Sequence, residues 1–175
     1  IEELLAQQLS LLQAREKRLA RQAVRMSQQA IKGGVLENFL KQLPFQLTNA
    51  QQQSWLGILK DLGESYPMNR LLQGDVGSGK TVVATLAALH CIDHGYQAAI
   101  MAPTEILATQ HFESFIEFFR GSGISIALIT GSGARKFPTK VASNPTPWTT
   151  ISKAQLKKWI ANGEIPIVIG THTLI

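Results

Sequence analysis

The chain of 175 residues has a single cysteine, Cys91, so no internal disulfide and no cysteine-based metal cluster can form. A reducing cytoplasm is the natural expectation for it. Long apolar runs are also missing: none reaches the roughly 18 residues that a membrane helix needs. No basic start followed by an apolar middle and a small-residue cleavage site marks a secretion signal. Acidic residues are the minority charge, 12 against 17 Lys and Arg, leaving a formal net charge of +5. That balance admits an anionic partner such as nucleic acid without requiring one. With 45% hydrophobic and 17% charged residues the composition is that of a globular protein, long enough for one buried domain and an appendage. Residue 1 is Ile rather than Met and Ile175 follows a strand-like run with nothing to cap it, so a piece of a longer polypeptide is expected.

Residues 1 to about 31 lack Gly and Pro and are rich in Leu, Gln, Ala and Arg, which predicts one long helix. Leu5, Leu9, Leu12, Leu19, Ala23 and Met26 recur at three- and four-residue steps as an apolar stripe, interrupted by Glu16. Arg15, Arg18, Arg21 and Arg25 form a basic face at similar spacing, read as the solvated side of a linker helix. Gly33-Gly34 is expected to stop it. A helix over 35–42 ending before Pro44 and another from Asn49 to Leu62 follow, the latter turning Trp55, Ile58, Leu59 and Leu62 inward.

Beyond Pro67 the pattern becomes alternating. A short buried strand is predicted at Arg70 to Gln73, a helix at Lys80 to His94 and a strand at Gln97 to Met101. A helix from Glu105 to about Arg120, a strand at Ile124 to Ile129, a helix from Ser152 to Asn162 and a strand at Ile165 to Ile169 complete the series. Residues 131–150, with Gly131, Gly133, Pro138, Pro145 and Pro147, are read as mostly loop. Alternating strands and helices predict an α/β fold with a parallel sheet covered on both faces and ligands at the carboxyl ends of its strands.

The strongest motif is Gly74-Asp75-Val76-Gly77-Ser78-Gly79-Lys80-Thr81, which matches G-x-x-x-x-G-K-[ST] between a predicted strand and a predicted helix. Its glycines let backbone fold closely around an anion, and its amides and helix N-terminus would face the phosphates of ATP. Lys80 would neutralise β- and γ-phosphate charge, and the Thr81 hydroxyl would ligate Mg²⁺. An ordinary Gly-rich turn would leave the Lys-Thr pair unexplained.

Upstream, Thr48 followed by Gln51 reads as a helix capping box. Phe45, Thr48 and Gln51 ahead of a phosphate loop also resemble the Q motif of superfamily 2 helicases, in which an amide reads the adenine edge and an aromatic packs on the base. Capping and adenine recognition are compatible. Pro103-Thr104-Glu105 after the second strand resembles motif Ia, where a helix start contacts nucleic-acid phosphate. Thr130-Gly131-Ser132 and Gly170-Thr171-His172, after the next strands, resemble motifs Ib and Ic. The candidate nucleic-acid contacts are therefore Pro103, Thr104, Thr130, Gly131, Thr171 and His172.

Pro44 to Gln51, Pro67 to Thr81, Met101 to Ala108 with Gln110-His111, and Ile167 to His172 together resemble the RecG family of bacterial ATP-dependent DNA helicases. The Glu3-Leu4-Leu5 to Arg15 stretch resembles the helix that joins that family's DNA-binding wedge domain to its motor. The resemblance implies a linker over 1–34 and the first part of a RecA-like motor lobe over 35–175. It further implies a second RecA-like lobe, branched double-stranded DNA (stalled forks and Holliday junctions) as substrate, and roles in repair and recombination. The stretch between Gly131 and Ser152 is longer than the family pattern, which makes Lys136 and Lys140 alternative phosphate contacts.

Two other readings share the motifs: a transcription-repair coupling translocase, which usually has Phe where Ser78 stands, and a nucleotide-sensing module that does not move along DNA. The family's acidic Walker B segment is expected one strand beyond Ile175, and no Asp-Glu pair follows any predicted strand here. The 175 residues alone should therefore bind nucleotide weakly and hydrolyse ATP very little. A phosphate-release assay on the purified chain checks this, and robust turnover would contradict it.

Overall fold

A computed structural model describes residues 2–140 and 145–174. The chain divides into two compact units, one formed by residues 1–30 and 44–87, the other by 31–43 and 88–175. Among the described residues no helix is long and apolar enough to cross a membrane.

In the first unit, α1 covers Glu2–Leu19 and none of its residues is buried. The expected helix over 1–31 thus ends twelve residues early. Propensity is overridden by backbone pairing: Ala23 N–H donates to Ser65 O at 2.7 Å and Met26 N–H to Leu62 O at 3.0 Å. Arg18, the second residue of the expected basic face, folds back rather than staying solvated. Its guanidinium donates to Pro67 O at 2.8 Å and lies 5.7 Å from the centroid of the Tyr66 ring. Helix α3 (Asn49–Leu62) has the predicted bounds and buries Trp55 and Ile58, with Leu59 and Leu62 half-buried.

Residues 70–73 do not form the buried strand expected of them. Leu71 is 80% exposed, and the Arg70 guanidinium turns instead to Asp61 at 2.7 Å and Gly57 O at 3.3 Å. A two-leucine run carries too little apolar pattern to define a strand without a ladder to join. Helix α4 (Lys80–Asp93) runs across the division, its residues to Ala87 belonging to the first unit.

The second unit is built on a five-stranded sheet of order β1-β5-β2-β3-β4, with β1 at Ala98–Met101, β2 at Ile126–Ile129, β3 at Ala134–Phe137, β4 at Thr149–Ile151 and β5 at Ile167–Gly170. β1, β5 and β2 are parallel, as expected; β3 and β4 add antiparallel. The expected loop over 131–150 therefore contains two strands, and the sheet is mixed rather than wholly parallel. Thr130-Gly131-Ser132-Gly133 turns the chain back on β2, the Thr130 N–H donating to Gly133 O at 2.9 Å. Short basic β3 shows neither apolar alternation nor β-branched enrichment, so periodicity did not reveal it. Residues 141–144 of that expected loop lie outside the described residues.

Helix α5 (Glu105–Phe119) packs on β2 and β5 and buries Ala108, Phe112, Phe115, Ile116 and Phe119. Alternation sends Ala127, Ile129 and Val168 to the opposite face, where they cluster with Ala134, Leu156 and Ile165 under α6 (Lys153–Ala161). Both faces of the sheet are thus covered, as expected.

Helix α2 (Val35–Gln42) brings Phe39 to 5.8 Å from the ring centroids of Phe118 and Phe119. Its N-terminus is capped from a distance: Val35 N–H and Leu36 N–H donate to the Asp93 carboxylate at 2.7 and 3.0 Å. Asp93→Ala should cost about 1–2 kcal/mol, the scale of a lost helix cap. Urea unfolding would read this as a lower midpoint, partly restored by Asp93→Asn.

Candidate functional site

The phosphate-loop candidates lie in the first unit, on residues that precede and open α4. Gly77 and Gly79 take φ of +83° and +80°, a region that favours glycine, and these turns let the loop double back. Val76 stands at the apex, 103% exposed. Ser78 N–H donates to Asp75 O at 3.2 Å, and a side chain on Gly74 would meet Ser78 Oγ at 2.7 Å. Lys80 is folded onto the loop, its ammonium donating to Gly74 O and Asp75 O at 2.7 Å each. Thr81 is half-buried in the first turn of α4, and its carbonyl accepts from Thr85 Oγ1 at 2.8 Å.

Gln51 is brought to this loop. The capping box is complete: Gln51 N–H donates to Thr48 Oγ1 at 3.3 Å, and Thr48 N–H donates to Gln51 Oε1 at 2.9 Å. The other end of the same amide, Nε2, donates to Ser78 O at 2.9 Å. A Cβ on Gly79 would collide with that Nε2, so glycine is required there by space as well as by φ. Phe45 is exposed just before the cap.

The nucleic-acid candidates lie in the second unit, in the turns at the carboxyl ends of β1, β2 and β5. Thr104 caps α5, its Oγ1 accepting from Leu107 N–H at 3.3 Å, and both it and Pro103 are exposed. Gly131 and His172 are exposed, whereas Thr130 and Thr171 are each only 4% exposed. Thr130 Oγ1 hydrogen-bonds Ser132 Oγ at 2.9 Å. A Cβ on Gly170 would collide with Ile129 O and stand 2.9 Å from Leu174 Cγ, so close strand packing fixes where Thr171 and His172 leave the sheet.

Two of these turns are tied together by a residue that sequence reading took only as a helix-start acid. The Glu105 carboxylate accepts from Ser132 Oγ at 2.7 Å and from Ser132 N–H at 3.2 Å. The Ser132 hydroxyl bond, aided by backbone donors and by the Lys153 charge, holds the Glu105 carboxyl below its usual range. Lys153 Nζ donates to Gly131 O at 2.7 Å from the other side. No local pattern links positions 27 residues apart, so only the structure reveals this clamp. The alternative contact Lys136 is pushed below the usual lysine range by partial burial and by neighbouring Lys140. Among the described residues no group of three or more His, Cys, Asp or Glu forms a candidate metal cluster.

The sequence profile of the DEAD/DEAH box helicases matches residues 48–175, and the chain belongs to that family. Within it, the chain is similar to the ATP-dependent DNA helicase RecG of several bacteria. It is 44% identical to that of Aquifex aeolicus over 152 residues, covering 85% of this chain and 17% of the relative. It is 46% identical to that of Thermotoga maritima over 145 residues (83% and 17%), and 50% identical to that of Streptococcus pneumoniae over 133 residues (76% and 17%). The chain thus spans about a sixth of the length of these curated relatives. A solved structure described as RecG bound to a three-way DNA junction superposes with a TM-score of 0.78 at 41% identity, covering 98% of this chain and 21% of that one. The resemblance to RecG and the α/β motor-lobe fold read from the sequence are borne out.

The Gln51 bridge is testable without ligand. Gln51→Glu keeps an acceptor for Thr48 N–H but sets a carboxylate oxygen against the Ser78 carbonyl. Amides of Gly77–Lys80 should then exchange roughly two- to tenfold faster, the scale of one net hydrogen bond. Hydrogen exchange by mass spectrometry checks it, with little change expected in the Thr48 cap.

Proposed function

We propose that this chain supplies the ATP phosphate-binding loop and part of the DNA-contacting surface of a motor that remodels branched duplex DNA in the bacterial cytoplasm. The single observation that carries the reading is the loop from Gly74 to Thr81, with Lys80 poised on its own carbonyls and Gly77 and Gly79 in the left-handed region. The names and the junction-bound structure of the RecG relatives support DNA as the substrate.

The loop fits a polyphosphate. Glycines at 74, 77 and 79 stand where a Cβ would clash or force strain, and the start of α4 offers amides without helical acceptors. The Lys80 ammonium would exchange the Gly74 and Asp75 carbonyls for phosphate oxygens, neutralising charge that builds toward the γ-phosphate. Thr81 is the residue that would hold Mg²⁺, which when bound neutralises phosphate charge as a Lewis acid. Gln51 keeps one amide hydrogen and one carbonyl lone pair beyond its bonds to Ser78 and Thr48, the pair of functions an adenine edge requires. Phe45 would pack against the base.

At the second unit's strand ends, exposed Pro103, Thr104, Gly131 and His172 would touch the DNA backbone. Buried Thr130 and Thr171 would shape the turns beneath them. Residues 1–34 act as a linker from a wedge domain, and a second RecA-like lobe in the same polypeptide completes the ATP site.

In the full-length protein, ATPase rate should rise far more with forked DNA than with linear duplex. Lys80→Ala should lower it roughly a hundredfold or more, the scale of losing one preorganised charge-stabilising group. A steady-state ATPase titration with both DNAs tests this; equal stimulation by linear duplex would remove the fork-remodelling reading.

A further inference from the structure

From Gly121 to Gly163 the chain carries no Asp or Glu, yet it holds Arg135, Lys136, Lys140, Lys153, Lys157 and Lys158. This stretch includes the β3–β4 ribbon and α6, and its charge exceeds the net +5 of the whole chain. Glu164 lies near Lys136 and Glu105 near Lys153, but the stretch itself adds six cations and no anion, a balance that favours a polyanion.

Within it, one cation is held differently from the others. Arg135 pairs with Leu128 on β2 and Thr150 on β4, so the three share one face of the sheet. Leu128 is buried on the side covered by α5; Arg135 and Thr150 continue that row outward. There the sheet, Thr109 of α5 and the Thr130–Gly133 turn enclose a cleft of about 130 Å³. A cleft of that size takes a tetrahedral anion or a few waters.

The Arg135 Cζ lies 4.4 Å from the centroid of the Trp148 ring, a stacking distance that fixes the plane of the guanidinium. Among the described residues this guanidinium makes no hydrogen bond or ion pair, and the Thr109 and Thr150 hydroxyls make no hydrogen bond. The carboxylate that reaches this turn, Glu105, is already engaged by two Ser132 donors. A planar cation with unused donors, fixed beside two free hydroxyls and a pinned turn, matches the geometry of a phosphodiester oxygen pair.

We propose that Arg135, stacked on Trp148, and the cleft it shares with Thr109 and Thr150 form a binding site for a backbone phosphate of nucleic acid, extending the contact surface from the Thr130–Gly133 turn along the ribbon. This rests on the DNA reading above. Arginine suits the role because its fork contacts phosphate bidentately, which lysine cannot do.

The test uses the full-length protein, labelled forked DNA and equilibrium anisotropy across a salt series. Arg135→Ala should weaken binding roughly tenfold at moderate salt and lower the slope of log affinity against log salt by about 0.9, the signature of one lost phosphate contact. Arg135→Lys should keep the slope and still bind more weakly, and Trp148→Phe should bind nearly as wild type. Matching thermal midpoints would confirm that the variants are folded. If wild type binds DNA and Arg135→Ala leaves both affinity and slope unchanged, the site is overturned while the DNA reading stands. An Arg135 side-chain NMR signal that responds to inorganic phosphate with the DNA slope unmoved would also overturn it, as a free-anion site. Wild type without DNA affinity would sink the parent reading instead.

Discussion

Backbone groups at the ends of helices and strands have no ladder or helical partner, and in this chain long polar side chains supply what is missing. Lys80 satisfies Gly74 and Asp75, Gln51 satisfies Ser78, Lys153 satisfies Gly131, Glu105 satisfies Ser132, and Asp93 satisfies the first amides of α2. Only the Asp93 bonds are partly buried; the others are exposed, so water can replace a lost partner and their work is to hold the shape of the turns. The turns that carry the candidate chemistry are thus held in shape by residues elsewhere in their own unit. Preorganised turns lose less entropy when a ligand arrives than loops that must first be ordered.

What the sequence made legible follows from how far each signal reaches. The bounds of α3 and the start of α4 and α5 came from caps and glycines that act within four residues, and they match. The parallel β1-β5-β2 core came from short apolar runs bounded by turn signals; β2 and β5 are fully buried, whereas edge strand β1 is half-exposed. By contrast, the end of α1 at Leu19 is set by Ser65 and Leu62, which local propensity cannot register. Strands β3 and β4 hid because a basic, proline-flanked ribbon lacks the alternation by which strands are recognised. Gly74 to Thr81 and Gln51 were readable as motifs. The Glu105–Ser132 clamp and the Arg135–Trp148 stack join residues 27 and 13 apart, and only a folded chain brings them together.

Membership of the DEAD/DEAH box helicases explains why one short segment carries both a phosphate loop and a row of strand-end turns. Parallel strands deliver all their carboxyl ends to one edge of the sheet, so successive turns form a line rather than scattered points. The β3–β4 ribbon lengthens that line with antiparallel strands, which need only a tight turn rather than a crossover helix. Added surface of this kind leaves the parallel core unchanged.

The amide of Gln51 spans two structures, the first turn of α3 through Thr48 and the phosphate loop through Ser78. Fraying at a helix start and breathing of a glycine-rich loop are ordinarily separate, low-energy fluctuations. Joined by one side chain, they are coupled to the extent of about one hydrogen bond, so opening one removes a restraint on the other. A substitution that tightens the Thr48 turn therefore steadies Gly79 modestly, through Gln51 and without touching it.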